Sequence, residues 1–298
     1  MAAPSFHPFR SEKAQQRYLE RYQLRAAAWP VPSIERMVET SFGRTCVRIS
    51  GPEGAPPLVM LPGIGSPGLS FTRNVQALSE HFRTIAVDNI HDHGLSVETC
   101  PVTSADDFTT WLDELFTALK LGDVVNLLGL SYGGWISAHY ALRFPQRVGR
   151  VVLLAPAGTV APIPWGFIWR AILCLIPARA LMRNLMNWVR TTENPDTASA
   201  QVLDDMADDA FLAQRSFALR RMVPPIPLSD EQWNAYSART LFLVGDREVI
   251  FPAKEGVAKL AALAPKIESA IMAGAGHDFF VSRADEVNRR VLEFFAKS

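Results

Sequence analysis

The feature that most constrains this chain is an apolar run, Val124-Val125-Asn126-Leu127-Leu128, that passes directly into Gly129-Leu130-Ser131-Tyr132-Gly133. A short apolar run followed at once by a glycine-rich turn and a helix-forming stretch reads as a buried strand entering a helix through a tight elbow. In that context G-x-S-x-G has chemical meaning. A serine hydroxyl is a weak nucleophile unless it is held exposed beside a base. The small residues Gly129, Gly133 and Gly134 leave room for such a turn. The helix that follows aims its free N–H groups at the reacting centre.

The same pattern of short apolar strands and helices extends along most of the chain. Residues 11–28 read as an N-terminal helix, ended by Trp29-Pro30-Val31-Pro32, because proline breaks a helix. Strands are expected near 34–40, 45–50, 58–61, 84–88, 124–130, 148–155, 240–245 and 267–272. Helices are expected near 104–120, 131–144, 253–263 and 284–295. Alternation of this kind predicts an α/β fold with a mostly parallel sheet covered by helices on both faces. The expected organisation is residues 1–157 as the first part of the core, 158–238 as a helical cap, and 239–298 as the second part.

The inserted segment shows no strand-like alternation. It holds apolar helical stretches at 165–176 and 178–189 and a more acidic one at 198–209, and Pro224-Pro225-Ile226-Pro227 closes it. The first stretch is apolar on nearly every side and is read as a buried cap helix, with a lid face toward an apolar substrate or a lipid surface as the sharper alternative. It is shorter than the roughly 20 residues of a membrane span, so no stable membrane insertion is expected. Trp165, Phe167, Trp169, Leu173 and Met186 are candidate pocket liners, although such spacing more often marks core.

Composition narrows the partners. The 298 residues carry a formal net charge of zero, which gives no footprint for nucleic acid or an anionic membrane. Cys46, Cys100 and Cys174 are far apart; this argues against a disulfide framework and for a reducing, cytoplasmic setting. Residues 1–10 lack the apolar run of a signal peptide. No dinucleotide-binding glycine motif opens a helix after a strand, and there is no phosphate-binding loop, so no cofactor is expected.

A serine nucleophile needs a base and an orienting acid, in this fold class in the chain order serine, acid, histidine. Of the six histidines only His277 follows both Ser131 and a late strand, in the small-residue loop Ala273-Gly274-Ala275-Gly276-His277-Asp278. His139 lies eight residues down the helix from Ser131, about 12 Å away at 1.5 Å per residue. The loop Gly245-Asp246-Arg247-Glu248 offers two acids, Asp246 and Glu248, and spacing does not choose between them. Either would hold the imidazole in its working tautomer. Asp123 and Asp278 read as solvated surface groups. An oxyanion hole needs backbone N–H donors. The expected donors are Tyr132, after the nucleophile, and Ile64, in Leu61-Pro62-Gly63-Ile64-Gly65. His91-Asp92-His93 reads as a loop bordering the pocket rather than a metal site, since further ligands are lacking. The Tyr132 ring could line the pocket or pack beneath it.

These motifs together resemble the α/β-hydrolases of the G-x-S-x-G serine type, across nearly the whole chain. The stretch from Glu39 to Val59 is similar to the opening of bacterial carboxylesterases, and Asp88 with Gly94-Leu95-Ser96 matches the usual stretch after the fourth strand. The resemblance implies that the acid lies three residues after Gly245, at Glu248, where aspartate is more usual. It also implies a departure at Pro62-Gly63, where relatives carry His-Gly. The function implied is hydrolysis of a small-molecule carboxylic ester with an apolar part, through an acyl-enzyme on Ser131. Cleavage of a thioester, a lactone or a carbon–carbon bond of a diketone is the alternative, as is a non-catalytic ligand-binding role. Epoxide or haloalkane chemistry is disfavoured, because those relatives carry aspartate where this chain has Ser131.

Overall fold

The structure is a computed structural model that describes residues 6–297. The reading of residues 1–10 as lacking a signal peptide therefore falls partly outside the described residues. The chain begins with α1 (Glu12–Ala27), capped by the Ser11 hydroxyl, which accepts from the Ala14 N–H. It continues through β1 (Ser33–Thr40), β2 (Gly43–Ser50) and β3 (Pro57–Leu61). A 3-10 turn then leads into α2 (Val75–Ser79) and β4 (Arg83–Val87). After the short β5 (Val97–Glu98) come α3 (Ala105–Ala118), β6 (Val125–Leu130), α4 (Tyr132–Arg143) and β7 (Val148–Leu154).

Between β7 and β8 (Arg239–Gly245) run α5 (Trp165–Leu173), α6 (Arg179–Val189), α7 (Thr197–Ser216) and α8 (Asp230–Ala235). The chain closes with α9 (Ala253–Leu263), β9 (Glu268–Met272), α10 (Phe279–Ser282) and α11 (Ala284–Ala296).

The strands form one sheet in the order β1-β2-β4-β3-β6-β7-β8-β9, with β5 added to β2. Pairing is antiparallel from β1 to β4 and parallel from β4 to β9. Alternate side chains of the central strands enter two cores. Val59, Leu127, Val151 and Phe242 face a core that also takes Phe108, Trp111, Trp135 and Tyr140 from α3 and α4. Leu58, Leu128, Val152 and Leu243 face a second core with Tyr18 and Tyr22 of α1 and Val291 and Phe294 of α11. Burial on both faces explains why these strands read as continuous apolar runs.

The inserted helices differ from expectation at two points. α7 extends to Ser216, beyond the expected end near 209, because Leu212 and Ala213 of its later turns pack into the second core. α5 is not a buried helix: none of its residues is buried, and Trp165 is 71% exposed. Its neighbours in the insertion make only a small core, of Cys174, Met182 and Leu185, with Phe167 and Met186 packed against it. α8 belongs spatially with α9 rather than with α5 to α7.

Candidate active site

The elbow is built as its sequence dictates. Ser131 takes φ +50° and ψ −114°, between the end of β6 and the first turn of α4. A non-glycine residue held there is strained, and such strain persists only where the surroundings enforce it. Here the Ser131 N–H donates to the Leu154 carbonyl at 2.9 Å, and the Ser131 carbonyl accepts from the N–H groups of Trp135 and Ala157. The close approach behind the elbow demands glycine at 133. A Cβ there would lie 2.1 Å from the Leu61 carbonyl oxygen.

Across from the elbow, the β8–α9 loop and the β9–α10 loop meet. His277 Nδ1 lies 2.8 Å from Glu248 Oε2, and the Glu248 side chain is fully buried. The other carboxylate oxygen, Oε1, accepts from the N–H groups of Val249 and Ile250, each at 2.8 Å. Asp246 is exposed and its backbone N–H donates to the Met272 carbonyl. Between the two acids that spacing left open, the fold therefore brings Glu248, not Asp246, to the histidine. Burial alone would lower the His277 pKa, but the charge and hydrogen bond of Glu248, with a smaller contribution from Asp278, raise it above the ordinary histidine range. An Nδ1 that faces a carboxylate carries the proton, which leaves Nε2 free as a base.

The loop after β3 touches the elbow from the other side. A Cβ built on Gly63 would lie 3.4 Å from the Ser131 Cβ. Ile64 follows on a turn in which Ser66 N–H donates to the Gly63 carbonyl at 3.3 Å. Tyr132 opens α4. Its ring packs rather than lines a pocket: it stacks on Trp135 at 5.2 Å, and its hydroxyl donates to the Val223 carbonyl at 2.8 Å.

Asp278 corrects the sequence reading. It is buried, not solvated, and Oδ1 accepts from the N–H groups of Thr191 and Thr192 and from the Thr192 hydroxyl. The residue after the histidine thus ties the chain between α6 and α7 to the β9–α10 loop. Nothing local in the sequence shows a partner so distant.

The Asp88…Gly-x-Ser stretch is a scaffold. Asp88 accepts from the N–H groups of Gly68 and Leu95 and from the Tyr22 hydroxyl. Burial raises its pKa to about 6. His91 is engaged at both nitrogens: Nδ1 lies 2.8 Å from Glu98, and Nε2 lies 2.8 Å from the Arg221 carbonyl. Those partners occupy the atoms a metal would use. His139 is packed edge-on against Trp135. Of the suggested pocket liners, Phe167 and Met186 pack on the small insertion core, while Trp165, Trp169 and Leu173 are exposed.

A parallel α/β sheet with a strained serine at the central elbow and a buried acid–histidine pair at its carboxyl edge defines a class of protein, and the comparisons agree with it. The chain belongs to the alpha/beta hydrolase family, which it matches over residues 58–290. Its fold is similar to that of naproxen esterase (carboxylesterase NP) from Bacillus subtilis, with a TM-score of 0.87, 29% identity, and 96% of this chain and 99% of that one covered. It is 28% identical to the carboxylesterase YbfK of Bacillus subtilis, over 93% of each chain. It is also 25% identical to a 2-hydroxymuconate semialdehyde hydrolase from Pseudomonas, over 90% of this chain and 95% of that protein.

Proposed function

We propose that this chain is a serine carboxylesterase that cleaves a small-molecule ester with an apolar part. The observation that carries the reading is the fully buried Glu248 carboxylate on His277 Nδ1, with its second oxygen occupied by two backbone N–H groups. A carboxylate fixed in this way holds the imidazole in one tautomer and stabilises the imidazolium that forms during the reaction. In this reading His277 Nε2 removes the proton from Ser131 Oγ as the oxygen attacks the ester carbonyl. The N–H groups of Ile64 and Tyr132 hold the oxyanion. The imidazolium then protonates the leaving alcohol, and an acyl-enzyme forms on Ser131. Water, deprotonated by His277, attacks the acyl carbon and releases the acid, which restores the serine.

The two carboxylesterase relatives support an ester over other acyl bonds. The semialdehyde hydrolase relative keeps carbon–carbon cleavage as the second reading. We take residues 158–238 as a cap over the site and the substrate as the only partner needed, with neither nucleic acid nor cofactor required. No helix among the described residues is long and apolar enough to cross a membrane. The cytoplasm is our assignment from the cysteines, all three of which are free.

The test is hydrolysis of p-nitrophenyl acetate, butyrate and octanoate by the wild type and by Ser131→Ala. Turnover by the wild type and its loss in the variant are expected, with kcat down on the order of 10⁴-fold or more. Turnover that persists in Ser131→Ala overturns the assignment of the nucleophile. Absence of turnover by the wild type on every ester overturns the esterase reading.

A further inference from the structure

His91, in the loop after β4, sits between two acceptors. Its Nδ1 lies 2.8 Å from Glu98 Oε1, and its Nε2 lies 2.8 Å from the Arg221 carbonyl oxygen. A neutral imidazole has one N–H and one lone pair, so it satisfies one of these partners and opposes the other. The imidazolium has two N–H groups and satisfies both. The geometry therefore selects the charged ring. Burial alone would lower the His91 pKa, but the bonds to Glu98 and to the Arg221 carbonyl, with the Glu98 charge, raise it above the ordinary histidine value. Burial would raise the pKa of Glu98, but His91, the Val102 N–H and Arg220 bring it below the ordinary carboxylate value.

The other groups around the pair do not replace either bond. From the insertion, Arg220 Nη1 lies 3.3 Å from Glu98 Oε2, and its charge works against protonation of His91. From the N-terminal segment, exposed His7 reaches the Glu98 carbonyl at 3.4 Å. α3 presents the Phe108 ring, edge-on to His91 at 6.1 Å. In the same loop as His91, the Asp92 carboxylate accepts from the N–H groups of Gly65 and His93, and the His93 ring packs 4.9 Å from Phe217.

Arg221 belongs to residues 217–228, the irregular return from α7 to α8. The return is anchored at both ends. Phe217 bridges to Phe9, and the Ala218 N–H donates to the Pro8 carbonyl. Farther on, the Val223 and Ile226 carbonyls accept from the Tyr132 hydroxyl and from Trp135 Nε1. Between these anchors residues 219–222 form an arch. Leu219 is 76% exposed and Met222 47%, so apolar packing adds little to its hold. Arg220 and Arg221 hold the arch, and both do so through the loop after β4. Arg220 donates to the Ile90 carbonyl and pairs with Glu98, while the Arg221 carbonyl accepts from His91.

We propose that His91 is a pH-sensitive clasp: the imidazolium pins the arch at Arg221, and the neutral ring lets residues 219–222 go. On deprotonation the Glu98 carboxylate keeps the one remaining N–H, at Nδ1. Nε2 then turns a lone pair toward the Arg221 carbonyl oxygen, and the two repel. Arg220 stays on Glu98, so the release is local. The sign follows from linkage. A group protonated more tightly in the folded state holds at low pH and lets go as pH rises through its folded pKa.

The experiment needs no ester turnover and is independent of the esterase reading. It compares the wild type with His91→Gln and Glu98→Gln. In ring-15N histidine spectra, with His91→Gln to assign the signals, both nitrogens of His91 should carry protons at low pH, and the midpoint should lie above about 6.5. Glu98→Gln should move that midpoint downward. The arch carries two trypsin sites, Arg220 and Arg221. Brief digestion, with fragments identified by mass, scores cutting there. The rate is divided by that of trypsin on a small arginine amide at each pH. For the wild type this ratio should rise on the order of 10-fold between pH 6 and 9, with the midpoint seen in the spectra. His91→Gln has one amide donor group and no titration, so its ratio should be high already at pH 6 and flat.

A His91 midpoint below about 6.5 overturns the proposal. So does a wild-type ratio that does not change with pH, or one that changes equally in His91→Gln. If His91→Gln does not fold, the wild-type titration and Glu98→Gln decide by the same criteria.

Discussion

At Glu248 every oxygen has a partner: Oε2 faces His277, and Oε1 accepts from two N–H groups of its own loop. The side chain is not free to rotate away, which makes the choice between the two acids of this loop measurable. Glu248→Gln keeps the volume but presents an amide to His277, removing the charge that orients the imidazolium. Its kcat should fall on the order of 10³- to 10⁴-fold. Asp246→Asn, at an exposed position, should stay within about threefold of wild type. The pH profile gives an independent check. His277 must be neutral to act as base, and its pKa lies above the ordinary histidine value because Glu248 outweighs burial. The acidic limb of kcat/KM should thus lie above pH about 6.5. In Glu248→Gln only the smaller contribution of Asp278 opposes burial, so the residual activity should show that limb at lower pH. A limb that moves upward would contradict the assigned pair.

Among the elements, legibility followed how local the cause of each structure is. The elbow at Ser131 and the strands on either side were readable because an apolar run and small residues state their role within a few positions. Glu248 could be reached only through a resemblance, since Asp246 and Glu248 look alike until burial separates them. Asp278 was not readable, because its partners Thr191 and Thr192 lie far back in the chain, with several helices and strands in between. α5 failed for a different reason. An apolar helix is expected to be buried, yet here it caps an insertion too thin to cover it. Exposed apolar surface of this size is commonly functional. The energetic contrast within the insertion follows. Trp165→Ser, on the exposed face, should change stability by no more than about 0.5 kcal/mol. Leu185→Ala, in the small core beneath, should cost about 2–3 kcal/mol, the low end for a buried leucine. Urea unfolding curves of the two variants measure both. A chain-length preference that shifts in Trp165→Ser without a stability change would assign α5 to the substrate.

At the scale of the molecule, α1 fastens the insertion to the core. Arg21 and Arg25 lie one helical turn apart on α1, and Asp205 and Asp209 one turn apart on α7. Each arginine reaches both aspartates, and the side chains are 18–32% exposed. Beneath them Tyr18 and Tyr22 pack in the second core, with Met206 and Leu212 at its edge. Charges that are only partly solvated attract each other more strongly than surface pairs, but a single partner left behind carries a desolvation penalty. Burial, opposed by Arg21 and Arg25, leaves the Asp209 pKa above the ordinary aspartate value. The folded state thus binds this proton more tightly than the unfolded chain, so the stability that Asp209 contributes is lost as pH rises through its folded pKa. Removing Arg25 raises that pKa further and extends the loss upward. Arg25→Ala should therefore destabilise by about 1–3 kcal/mol near pH 7 and by less at pH 5, where Asp209 can take up a proton. Asp209→Asn should show little of that pH dependence, and the double variant should recover about 1 kcal/mol relative to the sum of the singles. Urea midpoints at the two pH values supply the numbers, and hydrogen exchange locates the effect. Faster exchange in α7 with β6 to β8 unchanged is the signature of a strap between insertion and core, whereas a uniform increase would make the cluster a general contribution to folding.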